Sequence, residues 1–249
     1  MYWQFTGTNV RILGSMHMLP ASNSGLPGWA VEAFEWAEVL VFESDPQAIL
    51  PYRRSSSQPN LKDDLRPATW EALRSLWPTA GPLPSIEDAR PWAAFLLSTV
   101  FTQKTALGIE PQFMQWAGEQ SKPIEFLETG ETVAAAFDSI PATDIREALE
   151  LLASDLSAPQ RSLEAMYTAW LRGDLPALFE VASQSPMFRV AGLKTAVLDR
   201  RNQEWAPALR KFMSTPHRTL ITVGALHLHG SGNAIEHCGQ NAQLIPSDR

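Results

Sequence analysis

Two tetrapeptides of one pattern, Gly14-Ser15-Met16-His17 and Gly224-Ala225-Leu226-His227, each follow a short apolar run. A buried parallel strand ending in Gly-x-x-His leaves its imidazole on the loop past the strand's carboxyl end, where open α/β sheets gather ligands. Two more apolar runs end in carboxylates: residues 39–42 are followed by Glu43 and residues 124–127 by Glu128. Imidazole and carboxylate suit a divalent ion such as Mn, Co or Zn, and a hydrolytic site needs about three protein ligands plus an open position for water. His17, Glu43 and His227 meet that count as metal ligands, which leaves Glu128 as general base or fourth ligand. Arg201 offers a planar guanidinium that could clamp a peptide carboxylate or stabilise an oxyanion, and Asn202 could orient it or donate to substrate.

Each reading has a plainer rival. A histidine after a strand is often a hydrogen-bonded structural residue. Glu43 and Glu128 could cap helices, and Arg201 could form a structural salt bridge with Glu43. His229 points away from His227 if the strand continues, and His217 and His237 lie outside the motifs. The pair His237-Cys238 before Gly239 reads as a turn of helix. These residues are left out of the site.

The elements that must position the set are short strands at 10–13, 39–42, 124–127 and 219–223, continuous apolar or β-branched runs of the kind a doubly covered sheet requires. A fifth, 243–245, closes the chain without a ligand after it. Helices are expected at 29–38, 70–77, 92–107 and 112–119, with Pro27, Pro67 and Pro111 just ahead of three of them. Thr143 is placed to cap a helix whose stripe is Ile145, Leu149, Leu152 and Leu156. Leu163, Met166, Tyr167, Trp170 and Leu171 repeat the stripe, Gly173 relieves a left-handed helix end, and Asp174 caps the next helix. Residues 51–67, polar and punctuated by proline, read as an exposed loop, either a flap or an insertion.

The fold class that follows is α/β (α+β): a central mixed, largely parallel sheet built from the N- and C-terminal segments, with helices around it. The chain reads as one domain over 1–249, with a mainly helical insertion at about 130–215.

With 249 residues, 45% of them hydrophobic, the chain can bury a large core. No apolar run approaches the roughly 18 residues of a membrane span. A formal charge of −7, with no basic cluster beyond Arg53-Arg54 and Arg200-Arg201, argues against nucleic acid as a partner. The single cysteine, Cys238, excludes an intrachain disulfide. The start lacks the basic and apolar segments of a secretory signal, so the expected compartment is the cytoplasm, or the periplasm if the sequence is a trimmed form. Nine tryptophans, several at helical spacing, are first of all core residues. A peptide groove or a homo-oligomer contact is a second use open to them.

The sequence resembles the TraB/GumN family. The resemblance rests on Gly14-Ser15-Met16-His17-Met18-Leu19-Pro20, Val41-Phe42-Glu43-Ser44-Asp45, Phe126-Leu127-Glu128-Thr129, Ala169-Trp170-Leu171-Arg172-Gly173-Asp174, Arg201-Asn202-Gln203-Glu204-Trp205 and Val223-Gly224-Ala225-Leu226-His227, in that order. The resemblance implies a metal-dependent hydrolase acting on a peptide or a small amide or ester, because relatives include the Tiki proteins, which look like metalloproteases with paired Gly-x-x-His motifs. Another relative is a pheromone-shutdown protein that acts on signalling peptides. The wider superfamily also resembles erythromycin-esterase-like and haem-binding proteins, so a non-catalytic peptide- or haem-binding protein of the same fold is the alternative. Many bacterial relatives are exported, whereas this sequence shows no signal.

Overall fold

The computed structural model describes residues 1–23, 25–55, 61–79 and 83–246. Its strands are β1 (Tyr2–Phe5), β2 (Val10–Ser15), β3 (Met18–Pro20), β4 (Val39–Phe42), β5 (Thr105–Leu107), β6 (Ile124–Phe126), β7 (Thr219–Gly224) and β8 (Ala242–Leu244). Six of them form one sheet in the order β6-β4-β7-β2-β1-β8, and β3 pairs with β5 in a separate ribbon. The four neighbours β6, β4, β7 and β2 run parallel, while β1 lies antiparallel to both β2 and β8. The α/β reading with a mixed, largely parallel sheet holds.

The order explains how distant residues meet. From β2 the chain goes to β4 and leaves one place between them, which β7 fills from the far end of the sequence. All six β7 residues are buried, as a central parallel strand covered on both faces demands. Because the four strands point the same way, the residues after them emerge at one edge: Ser15 lies opposite Gly224, and the Glu128 amide donates to the Glu43 carbonyl at 2.9 Å.

Helices pack in two groups. The Gly28–Trp36, Ile109–Gln120, Ala158–Leu171 and Arg200–Phe212 helices cover the sheet, with Phe34, Phe113, Trp170 and Trp205 in its core. A second apolar cluster joins Pro67–Leu76, Pro91–Phe101 and Ala142–Ser154 through Trp70, Leu73, Trp92, Leu149 and Leu193. The tryptophans Trp70, Trp77, Trp170 and Trp205 are all buried.

Several local expectations need correction. The helix expected over 92–107 stops at Phe101, and Thr105–Leu107 instead becomes β5, paired with Met18–Pro20. Thr143 is not the cap of its helix, because the helix starts one residue ahead of it at Ala142 with Pro141 in the cap position. Within 51–67 the chain forms a short helix at Leu61–Asp64, and residues 56–60 of that expected loop lie outside the described residues. Gly173 does take positive φ, and the Asp174 side chain accepts from the Ala177 amide. Among the described residues no helix is long and apolar enough to cross a membrane.

Candidate functional site

Four strand ends deliver the side chains. Glu43, directly after β4, sits at the centre: its Oε1 accepts from the Gly224 amide at 2.6 Å, and its Oε2 accepts from Arg201 at 2.7 Å. His17, in the turn after β2, brings Nε2 to 3.7 Å from Glu43 Oε1. His227, in the short 3-10 turn after β7, brings its own Nε2 to 3.7 Å from the same oxygen. Glu128, two residues past β6, is bonded to Arg201 Nε at 2.9 Å and also receives Arg201 NH2.

Four of the five Arg201 N–H groups are bonded within the protein: beyond the two carboxylates, its Nη1 donates to the Val197 carbonyl, and the guanidinium lies over the Trp205 ring. A π-turn at Thr195–Asp199 runs straight into the Arg200–Phe212 helix that carries it. Such turns re-aim side chains at functional sites. In this arrangement Arg201 bridges Glu43 and Glu128. Asn202, the next residue, serves His227: its Nδ2 donates to the Gly232 carbonyl at 3.0 Å, which turns Oδ1 toward His227 Nδ1 at 2.7 Å. An amide oxygen only accepts, so Nδ1 of His227 carries the proton and Nε2 presents a lone pair.

The two glycines of the motifs are required by close approach. A Cβ on Gly14 would lie 3.0 Å from the Ala225 Cα, where β2 packs on the turn after β7. A Cβ on Gly224 would lie 3.0 Å from His17 Nε2 and 3.3 Å from Glu43 Oε1, so the missing side chain keeps the space between these donors open. The Gly14 carbonyl accepts from the Trp170 indole at 2.9 Å, which ties the first motif to the sheet-covering helices.

Glu110 belongs to the site and was not anticipated from the sequence. It lies in the first turn of the Ile109–Gln120 helix, where the helix dipole favours a carboxylate. Its Oε1 accepts from the Ser15 hydroxyl and stands 2.8 Å from His17 Nδ1. The signal in the sequence was Gly108-Ile109-Glu110-Pro111, which lies in the gap between the helices expected at 92–107 and 112–119. His229, by contrast, packs at a tilt against the Phe179 ring, and His217 pairs with Glu38 at the surface.

Electrostatics divide the two histidines. Glu110, with help from Glu43, lifts the His17 pKa to about 9. Burial drives that of His227 down to about 3, although Glu43 pulls the other way. Burial also disfavours an ionised Glu43, but Arg201, both histidines and the Gly224 amide outweigh it and hold the carboxyl well below its usual range. For Glu128 burial wins over Arg201, and the pKa rises.

A cavity of about 280 Å³ opens on the site, lined by the polar His17, Glu43, Glu110 and Arg201 together with the apolar Pro46, Pro111, Val133 and Phe137. Three buried carboxylates, Glu43, Glu110 and Glu128, face one buried guanidinium, Arg201. The charge of the ionised carboxylates is offset by that guanidinium and by His17, whose raised pKa keeps its ring protonated at neutral pH. Among the described residues no three His, Cys, Asp or Glu side chains are gathered closely enough to hold an ion as they stand. In the His17–Glu43–His227 set each Nε2–Oε1 pair stands 3.7 Å apart, against roughly 3.4 Å for donors about 2.1 Å from a tetrahedral ion. Imidazole and carboxylate are donor types that a divalent ion takes.

Comparison with known proteins places the chain in a class. The model of the TraB/PrgY/gumN family matches residues 1–241, and the chain belongs to that family. It is 28% identical over 239 residues to the uncharacterised protein YbaP of Escherichia coli (strain K12), covering 89% of this chain and 84% of YbaP. YbaP of Shigella flexneri matches to the same extent. No solved structure matches significantly.

Proposed function

We propose that this protein is a metal-dependent hydrolase, peptidase-like in its chemistry, that uses His17, Glu43 and His227 to hold one divalent ion, Mn, Co or Zn. The observation that carries this reading is that two imidazoles from opposite ends of the chain, each tied at Nδ1, turn Nε2 toward one oxygen of Glu43. A bound ion would supply a water ionised near neutral pH and a Lewis acid for a carbonyl. The protein's own part is arrangement. Arg201 keeps Glu43 ionised and links it to Glu128. Asn202 fixes the tautomer of His227, which leaves Nε2 unprotonated as a ligand must be. Glu128 is buried beside Arg201 and Trp205, and its raised proton affinity suits a group that carries a proton during turnover. The apolar wall of the cavity, with Val133 and Phe137, suits an apolar side chain beside the reacting amide or ester.

The test is hydrolysis of a fluorogenic peptide library and of simple esters by protein loaded with each metal in turn. The expected result is turnover that a chelator abolishes, that metal restores and that Glu43→Gln lacks. Peptide binding without turnover under every metal would instead favour a non-catalytic ligand-binding protein of this fold.

A further inference from the structure

His17 has a surface-exposed side chain, yet it is held in one orientation. The holding group is Glu110, 93 positions along the chain, whose Oε1 lies 2.8 Å from His17 Nδ1. A carboxylate accepts and does not donate, so Nδ1 gives its hydrogen to Glu110 and the other nitrogen is the one turned to Glu43. Ser15 donates its hydroxyl to the same Glu110 oxygen and fixes it from the end of β2.

The attachment is braced on both sides of the pair. Ile109 donates its amide to the Met16 carbonyl at 3.1 Å, and Met18 lies opposite Leu107 in the β3–β5 ribbon. Between these contacts Gly108 leaves no room for a side chain, since a Cβ there would run into the His17 carbonyl. The loop that carries His17 is thus laced to the helix start that carries Glu110. Among the described residues Glu110 forms an ion pair with His17 and with no lysine or arginine, and it is buried. Its second oxygen has no partner in the protein.

We infer that Glu110 is a positioning residue: it fixes the ring and tautomer of His17 so that Nε2 faces Glu43, as Asn202 does for His227. The inference rests on the reading of His17 as a metal ligand. Carboxylates behind ligating histidines have this role, and their loss costs about 10–100-fold in metal affinity.

The experiment is titration calorimetry of Mn²⁺ and Zn²⁺ into the full chain at pH 7.5, with Glu110→Ala, Glu110→Gln and the parent side by side. Nitrogen-detected NMR of the histidine rings in the metal-free proteins accompanies it. Glu110→Ala is expected to lose about 10–100-fold in affinity and the downfield Nδ1 proton of His17. Glu110→Gln is expected to recover most of both, because its amide oxygen accepts the same hydrogen bond. Parent-like affinity in Glu110→Ala overturns the inference, and so does a Glu110→Gln as weak as Glu110→Ala. If the parent binds neither metal, the hydrolase reading fails by itself and the NMR decides the role of Glu110: a His17 Nδ1 signal unchanged in Glu110→Ala sinks it. Should Glu110→Ala not fold, Glu110→Asp, which withdraws the carboxylate by one methylene, must weaken binding, and unchanged affinity there also sinks the inference.

Discussion

The two Gly-x-x-His turns share a pattern and a position past parallel strands, yet they make opposite environments. His17 has a side chain 57% exposed and a carboxylate on Nδ1, whereas His227 is 3% exposed, rests 4.5 Å from the Trp205 ring and has a neutral amide on Nδ1. One pKa rises to about 9 and the other falls to about 3. The pattern therefore sets only where an imidazole is attached. Its charge comes from the group behind it and from how far water reaches it. The glycines divide in the same way, one making room for packing and the other for donors.

The sharpest way to break this contrast is by deletion. In metal-free protein His227→Ala is expected to lower the unfolding free energy by about 2–4 kcal/mol, because it strands Asn202 Oδ1 and opens a void against Trp205. His17→Ala, removing an exposed ring, is expected to cost less than about 1 kcal/mol. Equal losses in urea unfolding would erase the distinction.

Acid and alkali probe it next. The folded pKa of His227 lies below its ordinary 6.5, so its contribution to stability is intact above 6.5 and declines as pH falls toward about 3, while the unfolded chain takes up a proton that the native site refuses. His17 is the reverse: its contribution is full below 6.5 and is lost as pH rises toward about 9. In metal-free protein these two residues therefore produce one limb on each side of 6.5, and His17→Ala should flatten only the alkaline limb. A loss of both limbs in that variant contradicts the assignment.

The glycines carry the same contrast into the backbone. Gly14→Ala, pressed against Ala225 and Leu228, should cost about 1–3 kcal/mol through overpacking. Gly224→Ala should cost about 1 kcal/mol or less, because the exposed His17 ring can give way, but it should weaken metal binding at least tenfold. The reverse pattern would show that Gly224 serves packing alone.

Much of this was legible in the chain. Residues 39–42 form a strand with the expected bounds, and β2 and β7 each run slightly further, drawing Ser15 and Gly224 into the sheet. The meeting of His17, Glu43, Glu128 and His227 at one edge follows from parallel strands ending in polar residues. What stayed hidden depends on tertiary packing. β1 was missed because Tyr2-Trp3-Gln4-Phe5 is held by β2 and β8 on either side and has no local pattern of its own. The turn at Thr102-Gln103-Lys104 breaks an apolar run that reads as one helix, and with it went β5. The π-turn before Arg201 and the tie between Asn202 and His227 have no signature in residue order.

The central claim is that two imidazoles and Glu43 gather one cation. It is tested most directly by counting metal per chain after equilibrium dialysis of the parent, His17→Ala and His227→Ala against Mn, Co or Zn. About one ion per chain is expected in the parent and about a tenth or less in each variant, which keeps only two of the three ligands. A parent that binds none of the three metals, or variants that hold as much as the parent, would contradict it.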